Sequence, residues 1–162
     1  MCTTCAASAK TYMTQSDFLN IAFPDTNPDN EPTAKVLWLD ENIQEKLTAI
    51  FDHPYPKLRI RYWQKANESV WFLDEIGKEK PISFAIKVDQ NKIAQIKVLA
   101  FRESRGGEIR MQAFTDQFSN VSLNNAGRLN QSIDGITGAT MSVTAMKKVA
   151  RAALMLAQLV NQ

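Results

Sequence analysis

The sequence predicts an α+β fold: an antiparallel sheet of about four to five strands, packed by a long C-terminal helix and by short N-terminal helices. Two stretches lead there. Ile82, Phe84, Ile86 and Val88 alternate with Ser83, Ala85 and Lys87. The turn Asp89 to Lys92 follows, and Ala94, Ile96, Val98 and Ala100 then resume the period of two, which describes a hairpin. Near the C-terminus Met146, Val149, Ala150, Ala153, Leu154, Ala157 and Val160 recur at i, i+3, i+4 spacing. Lys147, Lys148 and Arg151 lie off that stripe, so the segment is an amphipathic helix that packs on the sheet.

The remaining elements follow in order. Thr14 with Asp17 three residues on is a capping arrangement for a short helix bearing Phe18, Leu19, Ile21 and Ala22, which Pro24 stops. A turn-rich connector leads to a strand at Lys35 to Leu39. Asp40 then caps a helix with Ile43, Leu47, Ile50 and Phe51 on one face. Leu58, Ile60 and Tyr62 alternate with Arg59, Arg61 and Trp63 as a strand, Lys65 to Glu68 turns the chain, and Val70 to Leu73 returns it. Beyond the hairpin, Gly106 and Gly107 permit positive φ or a close backbone approach. Arg110 to Phe118 reads as a short helix carrying Met111, Phe114 and Phe118 inward. A polar loop, Ser119 to Ser132, leads to the final helix.

With 162 residues, 44% hydrophobic and 22% charged, the chain is globular and of single-domain size. Residues 1–13 are expected as a flexible tail and residues 14–162 as the domain. The net charge of +2 gives no footprint for nucleic acid or an anionic membrane surface. No apolar run approaches the length of a membrane span. Cys2 and Cys5 form C-T-T-C in the polar tail. With His53 the single histidine, a zinc site lacks ligands, and no His follows Cys5 as haem attachment requires. The small residues after Cys5 also fit the remnant of an export leader, although no apolar leader core is present.

One short stretch carries the chemistry. In D-G-I-T-G-A-T-M-S, Asp134 to Ser142, two threonines bracket Gly138-Ala139 at the entrance to the last helix. The bland account makes Ser142 an N-cap, Gly138 a turn residue and the threonines turn stabilisers. The chemical account begins from the free N–H groups and partial positive charge of a helix N-terminus, which favour phosphate. Thr140 would lie beside such a phosphate. Threonine is a weak nucleophile without a base or metal, so its hydroxyl is better suited to accept a phosphate ester made by another enzyme.

This stretch resembles the D-x-x-(S/T)-G-A-(S/T) flavinylation motif of the FMN-binding domain family. That family includes flavin subunits of the sodium-pumping NADH:quinone reductase and Rnf complexes and the extracytoplasmic domain of NosR-type proteins. Ile82 to Leu99 is similar to the family's central hairpin, Phe101 to Arg110 to an E-S-x-G-G-E-I-R stretch, Phe114 to Phe118 to W-x-x-Q-F, and Ile21 to Pro24 to an early F-P. Phe114 replaces a frequent Trp, and Asn91 stands where the hairpin turn usually has Gly.

The resemblance implies FMN joined through its phosphate to Thr140 by an FAD:protein FMN transferase. Thr137, Gly138, Ala139 and Ser142 would surround the phosphate, with Ile136 and Asp134 belonging to the motif. Glu103, Ser104, Gly106 and Gly107 would meet the ribityl chain or ring edge, Arg110 would offset phosphate charge, and Gln117 and Phe118 would touch the ring. Met111, Met141 and Met146 read as packing residues. The implied role is an electron carrier in the periplasm or another extracytoplasmic space, exchanging electrons with cytochromes, flavoproteins or membrane oxidoreductases. The rival readings are a regulatory or scaffolding module that binds FMN or another phosphate ligand non-covalently, and a structural domain with no ligand.

Overall fold

Five consecutive strands form an antiparallel meander, and a sixth joins its far edge. A computed structural model describes residues 10–162, so Cys2, Cys5 and most of the expected tail lie outside the described residues. Strands β2 (Thr33–Trp38), β3 (Arg59–Lys65), β4 (Glu68–Ile76), β5 (Pro81–Asp89) and β6 (Lys92–Phe101) pair in sequence order. The short strand β1 (Lys10–Thr11) pairs with β6, giving six strands in the order β1-β6-β5-β4-β3-β2. Part of the segment read as a tail is therefore edge strand: Lys10 pairs with Phe101, and the Tyr12 N–H donates to Leu99 O at 2.8 Å.

The helices cover the sheet unequally. Helix α1 (Gln15–Ala22) has the expected capping box between Thr14 and Asp17. It lies on one face, where Phe18, Ala22 and Phe23 pack with Val70, Ala85 and Leu99. Lys87 ties it down by donating from Nζ to Ala22 O at 2.6 Å. Ile21, expected on the apolar stripe, is exposed. On the opposite face lie α2 (Glu41–Phe51), capped by Asp40 as the sequence indicates, and the long α4 (Thr140–Val160). Ile43, Leu47, Ile50 and Phe51 of α2 join Met146, Val149, Ala153, Leu154 and Ala157 of α4 over Trp71, Leu73, Ile82, Phe84, Ile86 and Val88. This is the main core. Burying each large aliphatic or aromatic side chain is worth about 1.5–3 kcal/mol, which is what holds α4 against the sheet.

The hairpin departs from simple alternation. Phe84 pairs with Val98 and Ile86 with Ile96, yet Val88 pairs with Ile93 because the register shifts at both ends of the strand. Each shift is a bulge that changes which residue faces the core. Ile93, Ile96, Val98 and Phe101 therefore point into the main core, and Ala94 is exposed, contrary to the simple pattern. Ala100 pairs with Ser83. At the hairpin tip Gln90 and Asn91 both take positive φ, 52° and 64°. A two-residue turn of this kind favours Asn-Gly. Gln90→Asn combined with Asn91→Gly is expected to raise stability by about 1 kcal/mol, read as a higher urea midpoint at unchanged slope.

Two further expectations change at other elements. Leu58 lies outside β3 and is exposed, although Ile60 and Tyr62 are buried as read. The stretch after Gly106 forms three short turns rather than one helix: Gly107–Arg110, α3 (Gln112–Thr115) and Asp116–Phe118. Phe114 and Phe118 point inward, but Met111 is exposed.

A polar junction links α2, β4 and α4. Glu75 is buried in β4. Its Oε1 accepts from the Ile76 N–H at 2.8 Å and lies 2.8 Å from His53 Nε2, while its Oε2 stands 3.8 Å from Lys148 Nζ. His53 Nδ1 meets Pro54 O at 3.0 Å. Both ring nitrogens thus face acceptors, which the imidazolium satisfies with two donors. The bond to Pro54 O, followed by that to Glu75, raises the His53 pKa above 6.5, against opposing burial and Lys148 charge. A raised folded-state pKa stabilises fully below the unfolded value, and that contribution fades as pH rises through the folded value. His53→Gln is accordingly expected to lower stability more at about pH 5.5 than at about pH 8.5, measured by urea unfolding.

Candidate functional site

Three distant parts of the chain meet at the N-terminal end of α4: the turn after β4, the segment after β6, and the loop before the helix. In that loop the Ala139 N–H donates to Ile136 O at 3.0 Å, closing a turn around Thr137 and Gly138. Gly138 has φ +82°, as the third residue of a type II turn requires, and a Cβ there would meet no atom within 4 Å. The helix begins at Thr140, with Ala139 as N-cap and no side chain capping it. Ser142, expected as the cap, is instead inside the first turn and buried. The N–H groups of this turn therefore have no side-chain partner and carry the positive end of a 21-residue helix.

The buried Ser142 has a different task. Gly106 sits at φ +91°, and a Cβ on it would collide with the Ser142 side chain. The backbone after β6 thus lies directly on the first turn of α4, a contact that only glycine permits.

Two open clefts flank this contact. The first, about 410 Å³, is lined by Lys78, Glu103, Ser104, Arg105 and residues 138–142, with Thr140 exposed in it. The second, about 530 Å³, is lined by residues 104–108, Arg110, Met111, Thr137 and Gly138. Both volumes fall within the range of about 300–1,000 Å³ usual for small-molecule sites. Thr137 and Thr140 belong to different clefts, with Gly138 lining both. Lys78 and Arg105 supply positive charge at the first, and Arg110 stands at the second with its guanidinium carbon 3.9 Å from the centre of the Tyr12 ring.

Glu103 borders the first cleft, but its Oε1 accepts from the Glu79 and Lys80 N–H groups at 2.6 and 2.7 Å. Desolvation is the largest single influence on its pKa and acts upward. The backbone N–H bonds from Glu79, Lys80 and Lys78 and the nearby Lys80 charge together outweigh it, so the net displacement is downward. The carboxylate fixes the turn that carries Lys78 to the cleft, instead of the free ring-edge acceptor the sequence suggests.

Most of the expected residues gather here: Thr137, Gly138, Ala139, Thr140, Ser142, Glu103, Ser104, Gly106, Gly107 and Arg110 all line one cleft or the other. Four do not. Phe118 is fully buried and packs edge-on against Phe114, with ring centres 5.9 Å apart, so it is core and not a ring contact. Gln117 acts through the loop: its Oε1 accepts from the Asp134 N–H at 2.7 Å and its Nε2 donates to Asp134 O at 3.4 Å. Asp134 is exposed outside both clefts, and Ile136 is half-buried against the core. Met141 and Met111, read as packing residues, are exposed and line the first and second clefts; Met146 is core.

Sequence reasoning missed Lys78, Arg105 and Tyr12. The only hint was Gly77-Lys78 at the turn between two strands; nothing marked Tyr12, because its segment read as tail.

This is a small α+β domain with an uncapped helix N-terminus, cations and small residues open to an anionic ligand. Residues 77–155, just under half of the chain, match the FMN-binding domain family, which supports an FMN-binding domain in this segment. The matched segment contains every residue lining both clefts. No match was found among curated proteins or solved structures. The residues present suit FMN: unpartnered N–H groups with Lys78 and Arg105 for a phosphate, and exposed, flexible methionine side chains for a flat ring.

Proposed function

We propose that this domain is an electron-transfer flavoprotein whose FMN is esterified through its phosphate to Thr140. The supporting observation is the exposed Thr140 hydroxyl at the first turn of a helix that no side chain caps, in a cleft bearing Lys78 and Arg105. In the loading reaction Thr140 Oγ1 bonds to the FMN phosphorus of FAD and the pyrophosphate bond breaks. AMP leaves, and the hydroxyl proton passes to the FAD:protein FMN transferase. The uncapped N–H groups of α4 then hold the phosphodiester oxygens, Gly138 leaves room beside them, and Lys78 and Arg105 offset the charge.

When bound, the flavin supplies the electron chemistry, and the protein supplies position and electrostatic tuning. Glu103 keeps Lys78 at the cleft, Gln117 holds the loop at Asp134, and the Gly106–Ser142 contact fixes the two walls against each other. A covalent tether suits an extracytoplasmic carrier that exchanges electrons with cytochromes, flavoproteins or membrane oxidoreductases, because lost FMN is not replaced there. Among the described residues, no helix is long and apolar enough to cross a membrane.

Co-expression with the transferase tests this. The intact mass is expected to rise by FMN less one water, and the yellow colour to stay with the denatured chain. Colour that separates on denaturation and filtration would instead favour non-covalent binding, and reductive titration of the loaded protein tests the redox role.

A further inference from the structure

The sheet face that carries α1 is left uncovered over β2 and the start of β3. Pairing of Val36 with Arg61, Trp38 with Arg59 and Ala34 with Trp63 puts these six residues on that one face. Helix α1 covers the same face farther along, over Val70, Ala85 and Leu99, and its cluster reaches Trp63 at the far end of β3 but not Trp38 or Val36. Trp38 is 64% exposed and Val36 47%, with Leu58 beside them at 76%. Large apolar side chains exposed together on one face are a feature of protein contact sites. Arginines cover the indoles: Arg59 lies 5.6 Å from the Trp38 ring centre and Arg61 5.0 Å from that of Trp63. Stacking pre-orders each guanidinium and leaves its N–H fork free.

Charge identifies the partner. Among the described residues Lys57, Arg59 and Arg61 make no ion pair. The two hollows on this surface, which these residues line with Trp38, Leu58 and Trp63, contain no acidic side chain. A second copy docking through the same face would bring like charges together. Insertion into a bilayer would require the indoles to leave their guanidinium covers.

We propose that the β2–β3 face docks a partner protein presenting carboxylates beside apolar side chains, with Arg59 and Arg61 taking carboxylates bidentately and Trp38, Val36 and Leu58 forming the apolar contact. Trp and Arg are the side chains that dominate such interfaces. This docking face is separate from the flavin clefts and does not depend on the flavin reading.

The chain's three tryptophans provide a built-in report. Trp38 and Trp63 lie on this face, whereas Trp71 is buried with its Nε1–H on Ser69 Oγ at 2.8 Å. A nitrogen-15 spectrum of the full chain is titrated with a synthetic peptide in which glutamates flank leucine and phenylalanine. The indole signals of Trp38 and Trp63 are expected to move and that of Trp71 to stay. Added salt should weaken binding, and Arg59→Glu with Arg61→Glu should reduce affinity at least about tenfold. Arg59→Gln with Arg61→Gln, also at exposed positions, serves as a milder variant if reversal disturbs folding. Several results would overturn the proposal: no movement, equal movement with a lysine-for-glutamate peptide, movement only with phosphatidylglycerol vesicles, or concentration-dependent shifts of the protein alone.

Discussion

Replacing Thr140 with alanine is expected to abolish the flavin adduct altogether, taking the mass increase from stoichiometric to none. Thr140→Ser should keep it, because serine presents the same hydroxyl at the same helical position. Thr137→Ala should also keep it. These two hydroxyls line different clefts, separated by Gly138. Of the two, only Thr140 stands on the uncapped first turn of α4, where the N–H groups would stabilise the charge building on a phosphate. Since Thr140 is exposed and its side chain makes no hydrogen bond among the described residues, none of these substitutions should lower the melting temperature appreciably. Loss of the adduct is then a chemical effect and not a folding defect. Persistence on Thr140→Ala with disappearance on Thr137→Ala would move the attachment to the second cleft and reject Thr140 as the acceptor.

Gly106→Ala is expected to be the most damaging single-methyl change in the site, lowering stability by about 2–5 kcal/mol. For a domain of this size that corresponds to a melting point lower by roughly 5–15 °C. Two independent costs add. The backbone at φ +91° disfavours any L side chain, and the new Cβ would strike Ser142 in the first turn of α4. Gly107→Ala is the matched control, since its φ is ordinary and the nearest atom to a new Cβ is Phe101 Cε1 at 3.9 Å. It should change stability by less than about 0.5 kcal/mol. Placing Gly106→Ala in a Ser142→Gly background should recover the steric part of the loss but not the backbone part. Equal effects at positions 106 and 107 would mean that the contact between the two walls is not tight.

Local signals in the sequence translated directly into structure where they involved only neighbouring residues. The Thr14–Asp17 box, the Asp40 cap and the buried stripe of α2 depend on groups three or four residues apart, and all appear as read. The core face of β5 likewise appears as its alternation indicates. Alternation misled in β6, because each bulge adds a residue that pattern counting cannot see, turning Ala94 out and Ile93 in. The start of α4 was misplaced for a related reason. Ser142 has the chemistry of a cap, but it is used to meet Gly106, a residue 36 positions earlier.

The sequence by itself determined the α+β class, the hairpin, the long final helix and the motif that places Thr140 at its entrance, because each is written in short-range periodicity or in contiguous residues. Only the tertiary structure decided what surrounds that hydroxyl. Lys78, Arg105 and the Gly106 backbone arrive from separate strand ends, while Met141 turns outward and Phe118 inward. It likewise revealed the exposed Trp38, Val36 and Leu58 beside Arg59 and Arg61. Such neighbours are selected by strand order and packing, which bring together residues whose separation along the chain carries no signal of their contact.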